Sequence, residues 1–379
     1  VSRWDPEEWR GLVVVCGGSR WDGIVSPERQ VALQLARTVP VLFVDPPASV
    51  VRLRNRLSVA GRVRREADRI AVLTPVVQPG VDRPGIRVVT EWLVRAQLRR
   101  AARALGGDVQ AVFNANQRNL LGVCNERVRA VYATDDFTVA SELFEVRRDV
   151  LVRQQERLAA NADVAICVSE PIAAAWRALG VDAHVIPNGC DVDAGAAVDD
   201  VAPADDVHLP PPVAGFLGYL SPRIDLRLLR AVADRGVSLL LVGPVSAGLE
   251  FDDLVARPNV QWLGQRPPST MPSYLRVMDV GLTPYVHSDF NRASYPLKTL
   301  EYLAAGRPVV ATSLPATRSL GTEHVTIADD PVEFADAVAT AAALPKTPEL
   351  LASRRAFARR HSWEARVAEI APLLGVAAR

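Results

Sequence analysis

The chain has 379 residues, 49% of them hydrophobic and 23% charged, with 44 lysines and arginines against 43 aspartates and glutamates. A formal net charge of +1 supplies no global field to attract nucleic acid, so no nucleic-acid partner is expected. The length is too great for one ordinary core and predicts two domains, and no run reaches about 18 uninterrupted apolar residues, so no membrane-spanning helix is expected.

Val1 to Asp5 is polar and lacks the apolar core of a secretory leader, so a cytoplasmic location is expected. Cys16, Cys124, Cys167 and Cys190 are scattered, with no CxxC pair and no histidine at ligand spacing. They read as reduced, buried thiols. Among the 44 basic residues only Lys298 and Lys346 are lysines. A lysine kept in so arginine-biased a chain marks a position where a compact charge matters.

In chain order, the first half offers strands at Leu12–Cys16, Val41–Asp45, Ile70–Leu73, Ala111–Asn114, Ala130–Ala133, Val164–Val168 and His184–Ile186. These are continuous β-branched runs, the pattern of parallel strands buried on both faces. Helical patterns lie between them at Pro27–Arg37, Trp92–Leu105 and Val146–Ala160. An acidic, proline-rich stretch from Val201 to Pro212 reads as a linker. Alternation then restarts with strands at Val213–Leu217, Ser238–Val242, Val260–Leu263, Asp279–Thr283, Pro308–Thr312 and Val325–Ala328. The helices here are Ile224–Asp234, Pro296–Ala305 and Val332–Ala343, and Trp363–Leu374 closes the chain. Two such series predict an α/β protein of two doubly wound Rossmann-like domains facing a cleft, with ligands beyond the carboxyl ends of the strands. The expected division is 1–205, 206–360 and a final helix in 361–379 packing back towards the first domain.

The most informative stretch runs from Asp289 to Thr312, DFNRASYPLKTLEYLAAGRPVVAT. Pro296 suits the first turn of a helix and Gly306 the position that ends it. A helix starting near Tyr295 presents free N–H groups and a positive dipole end, a ready site for a diphosphate. Leu297 and Lys298 fall in the first turn, and Lys298 adds a charge to the same phosphate. Glu301, three residues on, shares that face and could accept both hydroxyls of a ribose. The alternative is a solvated Lys298–Glu301 pair; a cation at the wrong end of the dipole and the scarcity of lysine count against it.

This segment resembles the nucleotide-sugar-binding helix of GT-B glycosyltransferases, in the family-4-like group with its teichuronic-acid and glucuronosyltransferase-like relatives. The resemblance covers most of the chain. Gly215 to Asp225 is similar to the first strand and loop of the donor domain. It implies donor contacts from Tyr219 and a diphosphate contact from Arg223. Leu241 to Pro244 resembles the next core strand, and Val260 to Pro267 the loop whose backbone reads the nucleobase, which implicates Gln265. Tyr295 and Leu297 are implied as nucleotide-sugar-binding positions beside Lys298 and Glu301. Retaining family-4 members carry two glutamates seven residues apart; counting back from Glu301, the first falls at Ala293. Only the ribose half of that motif is present.

In the first half, Val15 to Gly23 (VCGGSRWDG) follows a strand and precedes a helix, but it is not GxGxxG. The resemblance implies that Gly18 lets the backbone approach the donor phosphates; a plain tight turn is the other reading. Ala130 to Phe137 ends a buried strand in Asp135 and Asp136. One of these, with Asp135 preferred, is the candidate base that deprotonates the acceptor. Their alternative is an N-cap for the following helix. The glucuronosyltransferase-like relatives have an aspartate proposed as base near this point. With the missing glutamate, this favours direct displacement and inversion. Asp191-Val-Asp193 could pass for a metal-binding DxD, but in a GT-B frame the helix end and basic residues hold the leaving diphosphate, so no metal is expected. Arg52–Arg69 and Arg95–Arg103 read as solvated helix faces, or as segments approaching an anionic membrane or a phosphorylated acceptor.

The sequence therefore leads to a metal-independent glycosyltransferase. It would take a nucleoside-diphosphate sugar as donor substrate, with no cofactor besides. The acceptor would be a saccharide, a lipid-linked molecule or a natural product. A GT-B sugar-nucleotide epimerase, a pseudo-glycosyltransferase and a non-catalytic nucleotide-sugar-binding protein are the other readings. An NAD-dependent oxidoreductase is disfavoured because neither half carries the dinucleotide fingerprint.

Overall fold

The computed structural model describes residues 4–23, 25–49, 62–80, 85–139, 146–295 and 297–377. The chain divides into two compact units, Val1–Pro187 with Trp363–Arg379, and Asn188–Ser362. Pro296, expected in the first turn of the donor helix, and residues 52–61 of the first arginine-rich stretch lie outside the described residues.

The first unit enters on β1 (Leu12–Cys16) and crosses by α1 (Pro27–Leu35) to β2 (Val41–Val44). Four strands follow: β3 (Ala48–Ser49), β4 (Val63–Ala67), β5 (Ile70–Leu73) and β6 (Val76–Val77). Helix α2 (Ile86–Ala104) leads to β7 (Val109–Asn114) and β8 (Val128–Ala133). Then come α3 (Arg148–Ala159), β9 (Val164–Cys167), α4 (Glu170–Ala178) and β10 (Asp182–Val185). The main sheet has the order β10-β9-β8-β7-β1-β2-β5-β4, and β3 pairs with β6 apart from it. Every residue of β1, β2, β5 and β9 is buried, because parallel strands covered on both faces need no polar alternation. Edge strand β4, with the sequence VRREA, runs antiparallel to β5 and keeps Arg65 and Glu66 in water. It occupies part of the Arg52–Arg69 stretch, whose described portion is thus a strand and not the expected helix face. Strand order reverses between β1 and β7, whose last residues Cys16 and Asn114 are register partners. That reversal is the place where such sheets bind ligands.

The second unit runs α5 (Val192–Ala196), β11 (Val213–Leu217), α6 (Leu226–Asp234), β12 (Ser238–Val242), α7 (Asp252–Val255), β13 (Val260–Trp262) and α8 (Met271–Val277). It continues with β14 (Val280–Thr283), α9 (Asp289–Ala293), α10 (Leu297–Ala304), β15 (Val309–Ala311), α11 (Pro315–Ser319), β16 (Val325–Ile327), α12 (Pro331–Ala342) and α13 (Pro348–Arg359). Its parallel sheet has the order β13-β12-β11-β14-β15-β16, with the reversal between β11 and β14. Leu228, Leu229 and Val232 of α6 and Phe334 and Val338 of α12 pack with Phe216, Leu239, Leu241 and Leu282 of the strands.

The units part at Pro187/Asn188, not at 205/206 where the proline-rich stretch suggested. The reason is electrostatic as well as steric. Asp199 pairs with Arg276 and Arg355, and Asp206 with Arg266 and the Tyr274 hydroxyl, all in the second unit. Helix α5 packs on α10 and α13. Within the expected linker, the Ala204 N–H donates to the Ser273 carbonyl, the His208 N–H to Gln261, and the Pro210 carbonyl accepts from the Ser238 hydroxyl, so the stretch is tied to the second unit. The final helix, α14 (Trp363–Leu373), belongs to the first unit, where it packs on α1 with Trp363, Val367 and Ile370 buried. The four cysteines are buried, and burial pushes the Cys124 and Cys167 thiols up to about 12.

Candidate functional site

In the second unit the loops after β11, β12 and β13 converge through glycines. A Cβ on Gly243, whose φ is +143°, would lie 1.9 Å from the Gly218 carbonyl oxygen, and the Gly243 N–H donates to the Gly264 carbonyl (2.8 Å). Only glycine permits that approach. A Cβ on Gly218 would in turn lie 3.3 Å from Cε of Lys298. The lysine of α10 therefore lies over the loop that follows β11. Tyr302, buried one turn further along α10, accepts the Leu217 N–H on its hydroxyl (2.9 Å) and fixes that loop to the helix.

Lys298 Nζ lies 2.9 Å from Glu301 Oε2, and the side chains are 32% and 42% exposed. Burial opposes the charge on Lys298, but the Glu301 carboxylate outweighs it and holds the ammonium above the usual lysine value. The i,i+3 pair weighed as the alternative is thus present, and it sits at the start of α10 beside the β11 loop, not on a remote surface. Lys346, the other lysine, pairs with Asp279 and is structural.

Arg223 is held from several sides. Its Nε donates to Asn291 Oδ1 (2.8 Å), its Nη2 to the Ser294 hydroxyl (3.4 Å), and its guanidinium stacks over Phe290 (4.6 Å) and Tyr285 (5.6 Å). Asn291 is fully buried and donates to the carbonyls of Arg223 and Val286. Burial raises the Tyr285 phenol, while the positive charges of Arg223 and Lys298 pull it down and Glu301 pushes it up. Arg223, Lys298 and Glu301 thus all act electrostatically on one tyrosine. Sequence reasoning missed Tyr285 and Asn291; the readable signal for Tyr285 was its place just past the carboxyl end of β14, at the strand-order reversal.

The remaining expected donor positions are less uniform. Tyr219 is 56% exposed and Gln265 is also exposed, with its carbonyl accepting from Arg266 (3.3 Å). Arg266 is engaged with Asp206 and Tyr274. Tyr295 is buried and Leu297, the first residue of α10, is partly buried. Ala293 is buried on α9 and offers no carboxylate.

In the first unit, Gly18 occupies the reversal after β1. Its N–H and that of Ser19 both donate to Oε1 of Glu28 (3.0 and 3.1 Å), a buried carboxylate in the first turn of α1. A Cβ at Gly18 would lie 3.2 Å from the Ala115 carbonyl oxygen, so the glycine serves a close approach of the loops after β1 and β7. In this conformation the Gly18 amide faces an internal carboxylate. Glu28 was not singled out from sequence, and its position ten residues on gave no local sign.

Asp135 and Asp136 follow β8 and line a pocket of ≈ 510 Å³, open mouth included, within the first unit. Asp135 Oδ2 accepts from the Thr134 hydroxyl (3.1 Å). Asp136 Oδ1 accepts from both the N–H and the hydroxyl of Thr138 (3.0 and 2.6 Å), closing a turn. Neither caps α3, which starts at Arg148 after Arg147 with no side-chain cap. Asp191 caps α5 through the Ala194 N–H (3.0 Å), and among the described residues no three His, Cys, Asp or Glu side chains converge on a metal position. On α2, Arg95 and Arg99 donate to the carbonyls of Asn119 and Val123, while Val88, Val89 and Trp92 are exposed.

Residues 212–343 match the family model described as "Glycosyl transferases group 1". Over 247 residues the chain is 29% identical to "Putative teichuronic acid biosynthesis glycosyltransferase TuaH" of Bacillus subtilis (strain 168). That alignment covers 62% of this chain and spans 62% of the relative's length. Among solved structures, the chain is similar to sucrose-phosphate synthase from Thermosynechococcus elongatus, with a TM-score of 0.70, 16% identity and coverage of 96% of this chain and 98% of that one. It is similar also to the Anabaena HepE protein in complex with UDP and glucose (TM-score 0.67, 18% identity, 97% and 100% covered). A third is the α,α-trehalose-phosphate synthase of Burkholderia xenovorans in complex with glucose-6-phosphate (TM-score 0.69, 13% identity, 96% and 99% covered). At such identities the likeness is one of fold. The chain accordingly has the fold of GT-B glycosyltransferases, and residues 212–343 of its second unit are similar to group 1 glycosyl transferases.

Proposed function

We propose that this protein is a glycosyltransferase that moves a sugar from a nucleoside-diphosphate donor to an acceptor hydroxyl with inversion at the anomeric carbon. The observation that carries the reading is the Lys298–Glu301 pair at the start of α10, with Lys298 against the Gly218 loop, inside the segment that matches the group 1 model. Glu301 is assigned the ribose hydroxyls, and Lys298 and Arg223 the diphosphate. As the bond from the anomeric carbon to the phosphate oxygen breaks, its electron pair stays on the diphosphate, and these two cations stabilise the growing charge. They do so in place of a metal ion. The acceptor oxygen forms the new bond and its proton passes to Asp135. Two features support inversion by one direct displacement: Ala293 stands where the retaining motif has glutamate, and Asp135 lies at the end of β8.

Two of the similar structures hold UDP, which makes UDP the first donor nucleotide to test. The acceptor is a saccharide, a lipid-linked molecule or a natural product. A cytoplasmic location belongs to the same reading, and buried thiols, which suit a reducing compartment, support it. Among the described residues no helix is long and apolar enough to cross a membrane. Peripheral contact with an anionic surface is proposed through the exposed Val88, Val89 and Trp92 of α2, beside the exposed Arg100 and Arg103.

The test is calorimetric binding of UDP, GDP, dTDP and NAD, with and without EDTA, to the wild type and to Glu301→Ala. One nucleoside diphosphate is expected to bind, indifferent to EDTA and weakened by the substitution. Binding of NAD alone, or of nothing, would overturn the assignment.

A further inference from the structure

The two cations assigned to the donor diphosphate are held in opposite ways. Lys298 pairs with the Glu301 carboxylate at 2.9 Å. Arg223 pairs with no carboxylate among the described residues; Asp225, two positions on, is taken by Arg227 (2.7 Å). Neutral groups grip Arg223 instead. Its Nε donates to Asn291 Oδ1 (2.8 Å), its Nη2 to the Ser294 hydroxyl (3.4 Å), and its guanidinium carbon lies over the rings of Phe290 (4.6 Å) and Tyr285 (5.6 Å). Asn291 is fully buried, and its Nδ2 uses both hydrogens on the carbonyls of Arg223 and Val286 (3.1 and 2.9 Å). Those two carbonyls leave the amide oxygen turned to the guanidinium. Both acceptors are themselves fixed: the Asn291 N–H donates to Oγ of Ser288, the N-cap of α9 (3.2 Å), and the Ser294 hydroxyl donates to the Phe290 carbonyl (2.8 Å). Nη1 makes no hydrogen bond among the described residues. A planar cation clamped along one edge, stacked on a ring and open at its other edge is a preorganised receptor for an anion.

We propose that Asn291 is a positioning residue for donor binding. It fixes the Arg223 guanidinium through a neutral acceptor, so that the cation meets the diphosphate already oriented and with its charge unneutralised. A carboxylate in the same place would hold the guanidinium equally well and cancel its charge; the amide orients without cancelling. The same amide joins the loop after β11, through the Arg223 carbonyl, to the loop after β14, through the Val286 carbonyl. The inference rests on the glycosyltransferase reading for the assignment of Arg223 to the diphosphate.

The test uses the full chain with UDP, GDP and dTDP and with uridine, guanosine and thymidine. Binding is followed by calorimetry and saturation-transfer NMR at about pH 8, where a carboxyl beside a guanidinium is ionised. Asn291→Asp keeps the acceptor for Nε and sets a charge against the guanidinium. It is expected to weaken the nucleoside diphosphate that binds roughly 10–100-fold, the loss of one charge-assisted hydrogen bond, with affinity for the matching nucleoside within about twofold of wild type. Arg223→Ala should show the same split. A purely structural role for Asn291 would weaken both ligands together, because loosening the loops after β11 and β14 does not distinguish them. That result, or unchanged diphosphate affinity in folded Asn291→Asp, overturns the inference. Should Asn291→Asp fail to fold, Ser294→Asp carries the test with the same expected split, since Ser294 meets Nη2 at the edge of the clamp. If Arg223→Ala leaves diphosphate binding unchanged, the inference fails and glycosyl transfer stands on Lys298 and Glu301. If no nucleoside diphosphate binds the wild type, the glycosyltransferase reading fails and the inference with it.

Discussion

Replacing Lys298 by alanine separates a structural ion pair from a catalytic charge. The two roles have different magnitudes. The Lys298–Glu301 pair is close, at 2.9 Å, but its side chains are 32% and 42% exposed. An ion pair so open to solvent contributes up to ~1 kcal/mol to stability. Stabilising a leaving diphosphate is a larger task, and loss of one such donor costs about 2.7–4 kcal/mol, or roughly 10²–10³ in kcat. Removing the lysine also strands the Glu301 carboxylate beside the incoming diphosphate. At about 4 Å and an effective dielectric near 20, that repulsion is on the order of 4 kcal/mol. Lys298→Ala is therefore expected to lose turnover by at least two orders of magnitude while unfolding within ~1 kcal/mol of wild type. Lys298→Ala with Glu301→Gln is expected to recover part of the lost nucleotide affinity, because the stranded charge is gone. The assays are steady-state release of the nucleoside diphosphate, calorimetric nucleotide binding and urea unfolding of the four proteins in the cycle. If Lys298→Ala kept full turnover, or lost more than about 2 kcal/mol of stability with unchanged kinetics, the pair would be structural and the donor site misplaced.

Other consequences can be measured in the same preparations. Asp135→Asn should lower turnover about 10²–10⁴-fold with nucleotide affinity unchanged. Asp136→Asn should do much less, since that carboxylate closes the turn at Thr138; equal losses would remove the distinction between them. Tyr302→Phe leaves the buried Leu217 N–H without its acceptor and should cost about 1–3 kcal/mol in urea unfolding, and a change below ~0.5 kcal/mol would contradict this. Arg227, hydrogen-bonded to Asp225 at the start of α6, holds that carboxyl below its usual value of 3.8. Its stabilising effect is present above that value and lost as pH falls through the lower folded one. Asp225→Asn should thus be less stable than wild type near neutrality, with the gap closing on acidification; a gap independent of pH would rule out the charge as its source.

What the sequence by itself determined is the part written locally. Runs such as Leu12–Cys16 and Ser238–Val242 are apolar throughout, and that pattern suits strands covered on both faces. That Lys298 and Glu301 lie one turn apart on α10 followed from helical spacing alone. Edge strand β4 escaped the same reading because its sequence VRREA is mostly charged, and only its pairing with β5 makes it a strand. The division between the units was misplaced for a related reason. A proline-rich acidic run looks like a linker until Arg266, 60 residues on, is brought to Asp206.

Tertiary structure alone decided which groups meet. Arg223 finds Asn291 68 residues on, Glu28 turns back onto the amides of Gly18 and Ser19, and Asn114 is left with an unanswered oxygen at the carboxyl end of β7. Local spacing specifies a residue's element and face. The identity of its partner depends on how separate elements pack, and a charge or an amide carries no record of that in its own neighbourhood of the chain.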